Sequence, residues 1–270
     1  MTEPNAAAAV ALAALRERRV LVHSITNYVV MNSTANVLLA AGASPVMAHA
    51  REEVEEMAAL AGAVVLNIGT LSPAWVEAMR LAGAAANRHG VPVVLDPVGS
   101  GATTYRTATA RSLASELEIA VIRANPSEIL SVAGLDATTR GVDAAHDVGQ
   151  AARVGAELAR RLGCAVAITG EVDLTTDGAR VLEIRGGHPL MGEVTGTGCA
   201  ATVLVAAFCA VEADPAVAAA GALAYFGIAG ERAAECAAGP GSFQVALYDA
   251  LAAISPAELA AAARIREVAR

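Results

Sequence analysis

Residues 92–101 read Pro92-Val93-Val94-Leu95-Asp96-Pro97-Val98-Gly99-Ser100-Gly101, a short apolar run that ends on a carboxylate and breaks into a Pro/Gly turn. An apolar run of that length, bounded by turn residues, reads as a strand buried on both faces, the kind found in parallel sheets covered by helices. The same unit recurs outward from it. Strands are predicted at Val20–His23, Pro45–Ala48, Val64–Ile68, Pro92–Leu95, Ile119–Ile122 and Ala165–Thr169. Ala-rich helical stretches fall between them at Val30–Ala41, Arg51–Leu60, Pro73–Arg88, Arg111–Leu117, Ser127–Ala133 and Ala144–Leu162. Strands alternating with crossover helices specify an α/β fold, with a mainly parallel central sheet flanked by helices. After Thr169 the pattern changes, because Val172–Thr176 and Ala179–Arg185 flank Asp177-Gly178, a tight-turn dipeptide that predicts an antiparallel edge. Consecutive helices at Cys199–Val211, Ala216–Ala238 and Gly241–Ala253 then cover the sheet.

Asn5–Leu15 reads as an N-terminal helix, since Glu3 stands where an export signal needs positive charge. No Pro/Ser-rich linker and no long repeat interrupts the 270 residues, which are expected to form a single domain, 1–270. Uncharged Val194–Val211 approaches membrane-span length, but it opens on Thr and Gly and fits a buried helix behind a glycine loop.

Composition removes several function classes. Hydrophobic residues at 55% against 17% charged exclude a solvated disordered chain and require a large core. All 19 basic residues are Arg, so Schiff-base catalysis and a phosphate-loop lysine are both excluded. A net charge of −8 and 3% aromatic residues leave neither a basic stripe nor a stacking platform, so no nucleic-acid partner is expected. Cys164, Cys199, Cys209 and Cys236 form no CxxC pair and read as reduced thiols in a cytoplasm, with no membrane association. The five histidines are scattered without metal-ligand spacing, and no serine nucleophile elbow occurs.

Four segments carry chemistry. Val194-Thr195-Gly196-Thr197-Gly198-Cys199-Ala200 delivers a glycine turn into an apolar helix, whose unpaired N–H groups and dipole form an anion pocket unless the turn is only a connection. Asp96 follows a strand, where open α/β sheets place their crevice; a turn or capping aspartate is the competing reading. Arg123-Ala124-Asn125-Pro126-Ser127-Glu128 also follows a strand. Asp96 and Glu128 at one sheet edge would suit Mg2+ held through water, while Glu128 alone would suit a helix N-terminus. Ile25-Thr26-Asn27-Tyr28-Val29-Val30-Met31-Asn32 is dense in amides, of which Asn27 suits a small polar ring and turn-making explains others. Met47 reads as packing or as a soft pocket wall. Gly186-Gly187-His188-Pro189-Leu190 reads as a turn.

Taken in order, these segments together with Ser44-Pro45-Val46-Met47 resemble the hydroxyethylthiazole kinases of the ribokinase-like superfamily, over about Val20–Ala253. The resemblance implies a ribokinase-like three-layer fold and transfer of the ATP γ-phosphoryl group to the primary alcohol of 4-methyl-5-(2-hydroxyethyl)thiazole, a thiamine-salvage step. It implies Met47 and Gly196 at the thiazole with Asn27 nearby, Arg123 and Thr169 at ATP, and Asp96 and Glu128 at Mg2+. Gly196, Thr197, Gly198 and Cys199 would form the anion hole, and Cys199 would stand where many relatives place an aspartate base. A homotrimer with the substrate site near a subunit boundary is implied as well. The competing readings are another ribokinase-like kinase, an ATP-dependent NAD(P)H-hydrate dehydratase, and a noncatalytic thiazole or nucleotide sensor.

Overall fold

The structure, a computed structural model, describes residues 3–135 and 144–268. Its parallel strands are β1 (Leu21–Ile25), β2 (Ser44–Val46), β3 (Ala63–Asn67), β4 (Val93–Asp96), β5 (Val121–Ala124) and β6 (Ala165–Ile168), in the spatial order β2-β1-β3-β4-β5-β6. Beyond β6 the sheet continues antiparallel through β7 (Asp173–Thr176), β8 (Val181–Ile184) and β9 (Ile265–Glu267). The helices among the described residues are α1 (Pro4–Arg18), α2 (Met31–Ala41), α3 (Val54–Leu60), α4 (Pro73–Arg88), α5 (Thr104–Glu116), α6 (Pro126–Ala133), α7 (Ala144–Leu162), α8 (Thr197–Cys209), α9 (Pro215–Cys236), α10 (Pro240–Ala253) and α11 (Pro256–Ala262).

Alternate residues of each central strand feed two separate cores, as the two-residue period of a strand requires. Val65, Val94 and Val121 pack with α1, α2, α8, α9 and α10, while Val64, Leu66, Val93, Leu95 and Ile122 pack with α4, α5, α6 and α7. Each such Val or Leu contributes about 1.5–3 kcal/mol by leaving water. These are the three layers expected from the alternating sequence. Small side chains bring the helices close: a Cβ on Gly221 of α9 would lie 3.0 Å from Ala8 Cβ of α1. Helix α8 is buried from Ala200 to Phe208, as its uncharged sequence requires. Among the described residues no single helix is long and apolar enough to cross a membrane.

Several boundaries differ from expectation. β2 ends at Val46, before the expected Ala48, whose carbonyl meets His23 Nε2 at 2.7 Å instead of joining the ladder. Helix α3 starts at Val54 and not at Arg51. Helix α5 begins at Thr104, seven residues before the expected Arg111, because the Thr103 hydroxyl accepts the Arg106 N–H and caps it. Neither α11 nor β9 is expected from periodicity. Yet Ser255 and Glu258 form a reciprocal capping box that marks the start of α11. The predicted hairpin stands: Asp177 Oδ1 accepts the N–H groups of Ala179 and Arg180, both at 2.7 Å, with Gly178 at φ +84°.

Candidate active site

The C-terminal ends of the parallel strands and the N-terminus of α8 meet at one edge of the sheet. Asp96 closes β4 beside Asn67, the last residue of β3, and both side chains are buried. Asp96 Oδ2 accepts Asn67 Nδ2 at 2.7 Å and the Thr202 hydroxyl at 2.8 Å. Its Oδ1 is buried with no hydrogen-bond partner among the described residues, and Arg123 Nη1 lies 3.9 Å away. Burial raises the Asp96 carboxyl to a pKa of about 6, against the opposing pull of Arg123. At neutral pH the carboxylate is therefore charged, at an energetic cost, with one open oxygen.

Cys199 occupies the first turn of α8, where its sulfur accepts Asn67 Nδ2 at 3.2 Å and Asn27 Nδ2 at 3.6 Å. Burial, and next the charge of Asp96, push the thiol to a pKa of about 11. Burial thus outweighs the pull of the helix N-terminus, which alone would lower the thiol. Gly196 caps α8 in the left-handed region at φ +85°, where a Cβ would lie 2.5 Å from Val30 Cγ1. A Cβ on Gly198 would lie 2.8 Å from Arg123 Nη1, so glycine there lets the guanidinium lie against the helix start. A cation and the positive end of a helix dipole at the same place favour an anion between them.

Arg123 leaves β5 and donates to the Thr169 hydroxyl at the end of β6. Both line a cleft of about 570 Å³ with Thr197, Gly198, Asp173 and His188. Gly186, Gly187 and Pro189 share that wall, so the segment read from sequence as a turn is also cleft lining. Asp173 is a cleft residue that sequence reading missed; it accepts the Gly170 N–H at 2.9 Å, and burial raises its carboxyl to a pKa of about 6.

Glu128 belongs to the same corner, since it grips the loop that follows Asp96. Its Oε1 accepts the Gly99 N–H at 2.8 Å and its Oε2 the Asn125 N–H at 3.0 Å. Asn125 Oδ1 accepts the Glu128 N–H in return, forming a capping box at the start of α6. The capping role weighed from sequence is therefore real, and it extends to the loop after β4. Arg106 braces that loop by donating to the carbonyls of Ile68, Gly69 and Val98. Among the described residues no group of three or more His, Cys, Asp and Glu is placed to hold a metal ion. Two carboxylates, one with an open oxygen, still match the way Mg2+ is held when phosphates and water complete its shell.

Asn27, Asp96, Arg123, Glu128, Thr169 and the 196–199 turn are thus brought to one edge. Met47 takes no part in these hydrogen bonds: it lies half-buried just beyond β2, with its carbonyl 3.3 Å from His49 Nδ1. Asn67 was missed as well. Its only sequence signal is a polar amide at the end of an apolar run.

A family model described as "Hydroxyethylthiazole kinase family" matches residues 12–257. A protein of Desulfotalea psychrophila named hydroxyethylthiazole kinase is 55% identical over 267 residues, covering 99% of this chain and 98% of its own length. One of that name from Moorella thermoacetica is 55% identical over 252 residues, covering 93% of this chain and 94% of its own. The solved hydroxyethylthiazole kinase structure from Pyrococcus horikoshii superposes with a TM-score of 0.88 at 47% identity, covering 97% of this chain and 99% of that one. A ribokinase-like superfamily protein of Enterococcus faecalis, at 13% identity, a TM-score of 0.62 and 86% coverage of both chains, shares the fold alone.

Proposed function

This chain belongs to the hydroxyethylthiazole kinase family, and from that premise we propose how its residues divide the work of moving the ATP γ-phosphoryl group to the primary hydroxyl of 4-methyl-5-(2-hydroxyethyl)thiazole. The observation that carries the assignment is the meeting of Asp96, Cys199 and the start of α8 through Asn67, Thr202 and Arg123, with Asp96 Oδ1 buried, free of hydrogen bonds and facing Arg123. Arg123 and Thr169 hold the triphosphate in the cleft, with the N–H groups of Thr197, Gly198 and Cys199 aimed at the transferring group. Asn27, Met47 and Gly196 receive the thiazole. Asp96 and Glu128 hold Mg2+ through water, and that ion, when bound, neutralises charge on the phosphates.

Phosphoryl transfer passes through a loose transition state in which alignment and charge neutralisation do most of the work. A thiol with a pKa of about 11 is deprotonated in roughly one molecule per thousand at pH 8, so Cys199 acts as a weak acceptor of the alcohol proton. Aspartate at that place would be the better acceptor, because it is already deprotonated at that pH, while the charge of neighbouring Asp96 keeps it more basic than a free carboxylate. Cys199→Asp is expected to turn over about tenfold faster than Cys199→Ala, with the KM for ATP alike in both. Steady-state kinetics of the pair check this, and equal rates would remove proton transfer from the role of Cys199.

Glu128→Gln leaves one acceptor where two N–H groups need one each, so an amide N–H would face the N–H of Gly99 or Asn125. The loop after Asp96 loses one of its two braces, and kcat is expected to fall about thirtyfold. Unchanged kinetics would take Glu128 out of the site.

We further propose that the chain is one domain, works in the cytoplasm and assembles as a homotrimer. Four free cysteines support the first location, and exposed Tyr28 and Val29, directly after Asn27, support a subunit boundary near the thiazole. The deciding experiment follows ADP release by the purified protein with Mg2+, ATP and the thiazole alcohol. Release that depends on the thiazole is expected; nucleotide or thiazole binding without release would favour a sensor.

A further inference from the structure

Asn67 is tied into the site by all of its polar hydrogens and its oxygen. The Gly69 N–H can only donate, so the Asn67 atom 2.9 Å from it is the oxygen, which fixes the orientation of the carboxamide. That oxygen also accepts Asn27 Nδ2 at 2.9 Å. Asn27 is fixed in the same manner, because its Oδ1 accepts the Val29 N–H at 3.1 Å. The two hydrogens of Asn67 Nδ2 then go to Asp96 Oδ2, at 2.7 Å, and to Cys199 Sγ, at 3.2 Å. Donation therefore runs one way, from Asn27 through Asn67 to Asp96, with the sulfur receiving from both amides.

We propose that Asn67 is a positioning residue for phosphoryl transfer: its carboxamide sets the alcohol side of the site, Asn27 and Cys199, at a fixed distance from the phosphate side, Asp96. Two further observations support it. Asn67 and Thr202 together occupy Asp96 Oδ2, which leaves Oδ1 as the open oxygen. A Cβ on Gly69 would lie 2.5 Å from Asn27 Nδ2, so the backbone after β3 has to stay bare for the two amides to meet. With its oxygen and both hydrogens engaged by Asn27, Gly69, Asp96 and Cys199, Asn67 has no polar hydrogen left for a substrate and acts through these partners. The inference rests on the phosphotransferase reading above.

Asn67→Asp is isosteric and keeps the oxygen that receives Asn27 and Gly69, but it turns the donor toward Asp96 and Cys199 into a second acceptor. Thiazole affinity, read by calorimetry without nucleotide or metal, is expected to stay within about threefold of wild type, while kcat falls at least about thirtyfold. Asn67→Ser, whose single short hydroxyl cannot serve Asp96 and Cys199 together and adds no charge, is expected to lower kcat about as much, and it carries the test if the Asp variant does not fold. Acting through Cys199 has its own signature: Cys199→Ala should cost at least about fivefold less in the Asn67→Ser background than in wild type. A kcat within twofold of wild type in either folded variant, equal losses in affinity and kcat for Asn67→Asp, or fully multiplicative effects in the double variant would overturn the proposal. A wild-type enzyme without thiazole-dependent ADP release would instead sink the parent reading, so the two failures are separable.

Discussion

Asp96→Asn is expected to lower kcat by roughly 10³-fold while making the fold less sensitive to rising pH, because in the proposed site one carboxylate serves catalysis at the expense of stability. The carboxylate is wholly buried, and Thr202 and Asn67 hold only one of its oxygens. Asparagine keeps an acceptor for both donors and fits the same space, but it brings no charge to the corner where the phosphates gather. The pH dependence follows from the same burial. In the folded protein the carboxyl keeps its proton up to about pH 6, whereas in the unfolded chain it loses it near 3.8. Between those values the folded state binds more protons, so the stability contributed at this position falls as pH rises through the window. The loss is complete above pH 6 and amounts at most to roughly 3 kcal/mol. Relative to wild type, the melting temperature of Asp96→Asn should therefore climb between pH 4 and pH 6 and then level off. A variant that keeps a tenth of wild-type turnover, or whose melting difference is flat across that window, would contradict the role given to this residue.

The parallel half of the sheet was legible because its signal is local. A run such as Val93-Val94-Leu95 cannot be hydrated on either face, and the polar turn after it can lie only at a strand end. That reasoning also located Asp96 and the segment opening on Arg123, since each directly follows an apolar run, whereas Thr169 entered only through the family resemblance. Asn67 escaped that reasoning although it too closes an apolar run. It falls inside the stretch predicted as strand through Ile68, and its importance comes from partners far away in sequence: Asn27, Asp96 and Cys199 lie on three other segments. Glu128 was half legible. Its spacing from Asn125 announces a helix start, but its grip on Gly99 depends on how the loop after β4 folds back. The ionisation of Cys199 depends on depth within the fold and on a neighbouring carboxylate, which no spacing encodes. Helix α11 is a different kind of miss, because Ser255-Pro256-Ala257-Glu258 carries a capping box and a proline in the first turn.

Gly196→Ala is expected to cost about 10²-fold or more in kcat, and the reason can be isolated by a second substitution. Two costs fall on the methyl group. The backbone at φ +85° strains any residue with a Cβ by about 1 kcal/mol or more. The added carbon also arrives 2.5 Å from Val30 Cγ1, and Val30 is buried and stiff at χ1. Relief requires the turn to move, and the turn carries the N–H groups of Thr197, Gly198 and Cys199. A shift of about 1 Å in groups that stabilise developing charge suffices for a loss of this size. Val30→Ala removes Cγ1 and with it the clash, leaving only the strain of the backbone. The double variant Val30→Ala/Gly196→Ala should therefore recover at least about tenfold of the lost turnover, although Val30→Ala alone weakens the core by about 2 kcal/mol. Rescue would identify displacement of the anion-binding turn as the cause. If the double variant were no faster than Gly196→Ala, the helix start would not be held in place by its approach to Val30.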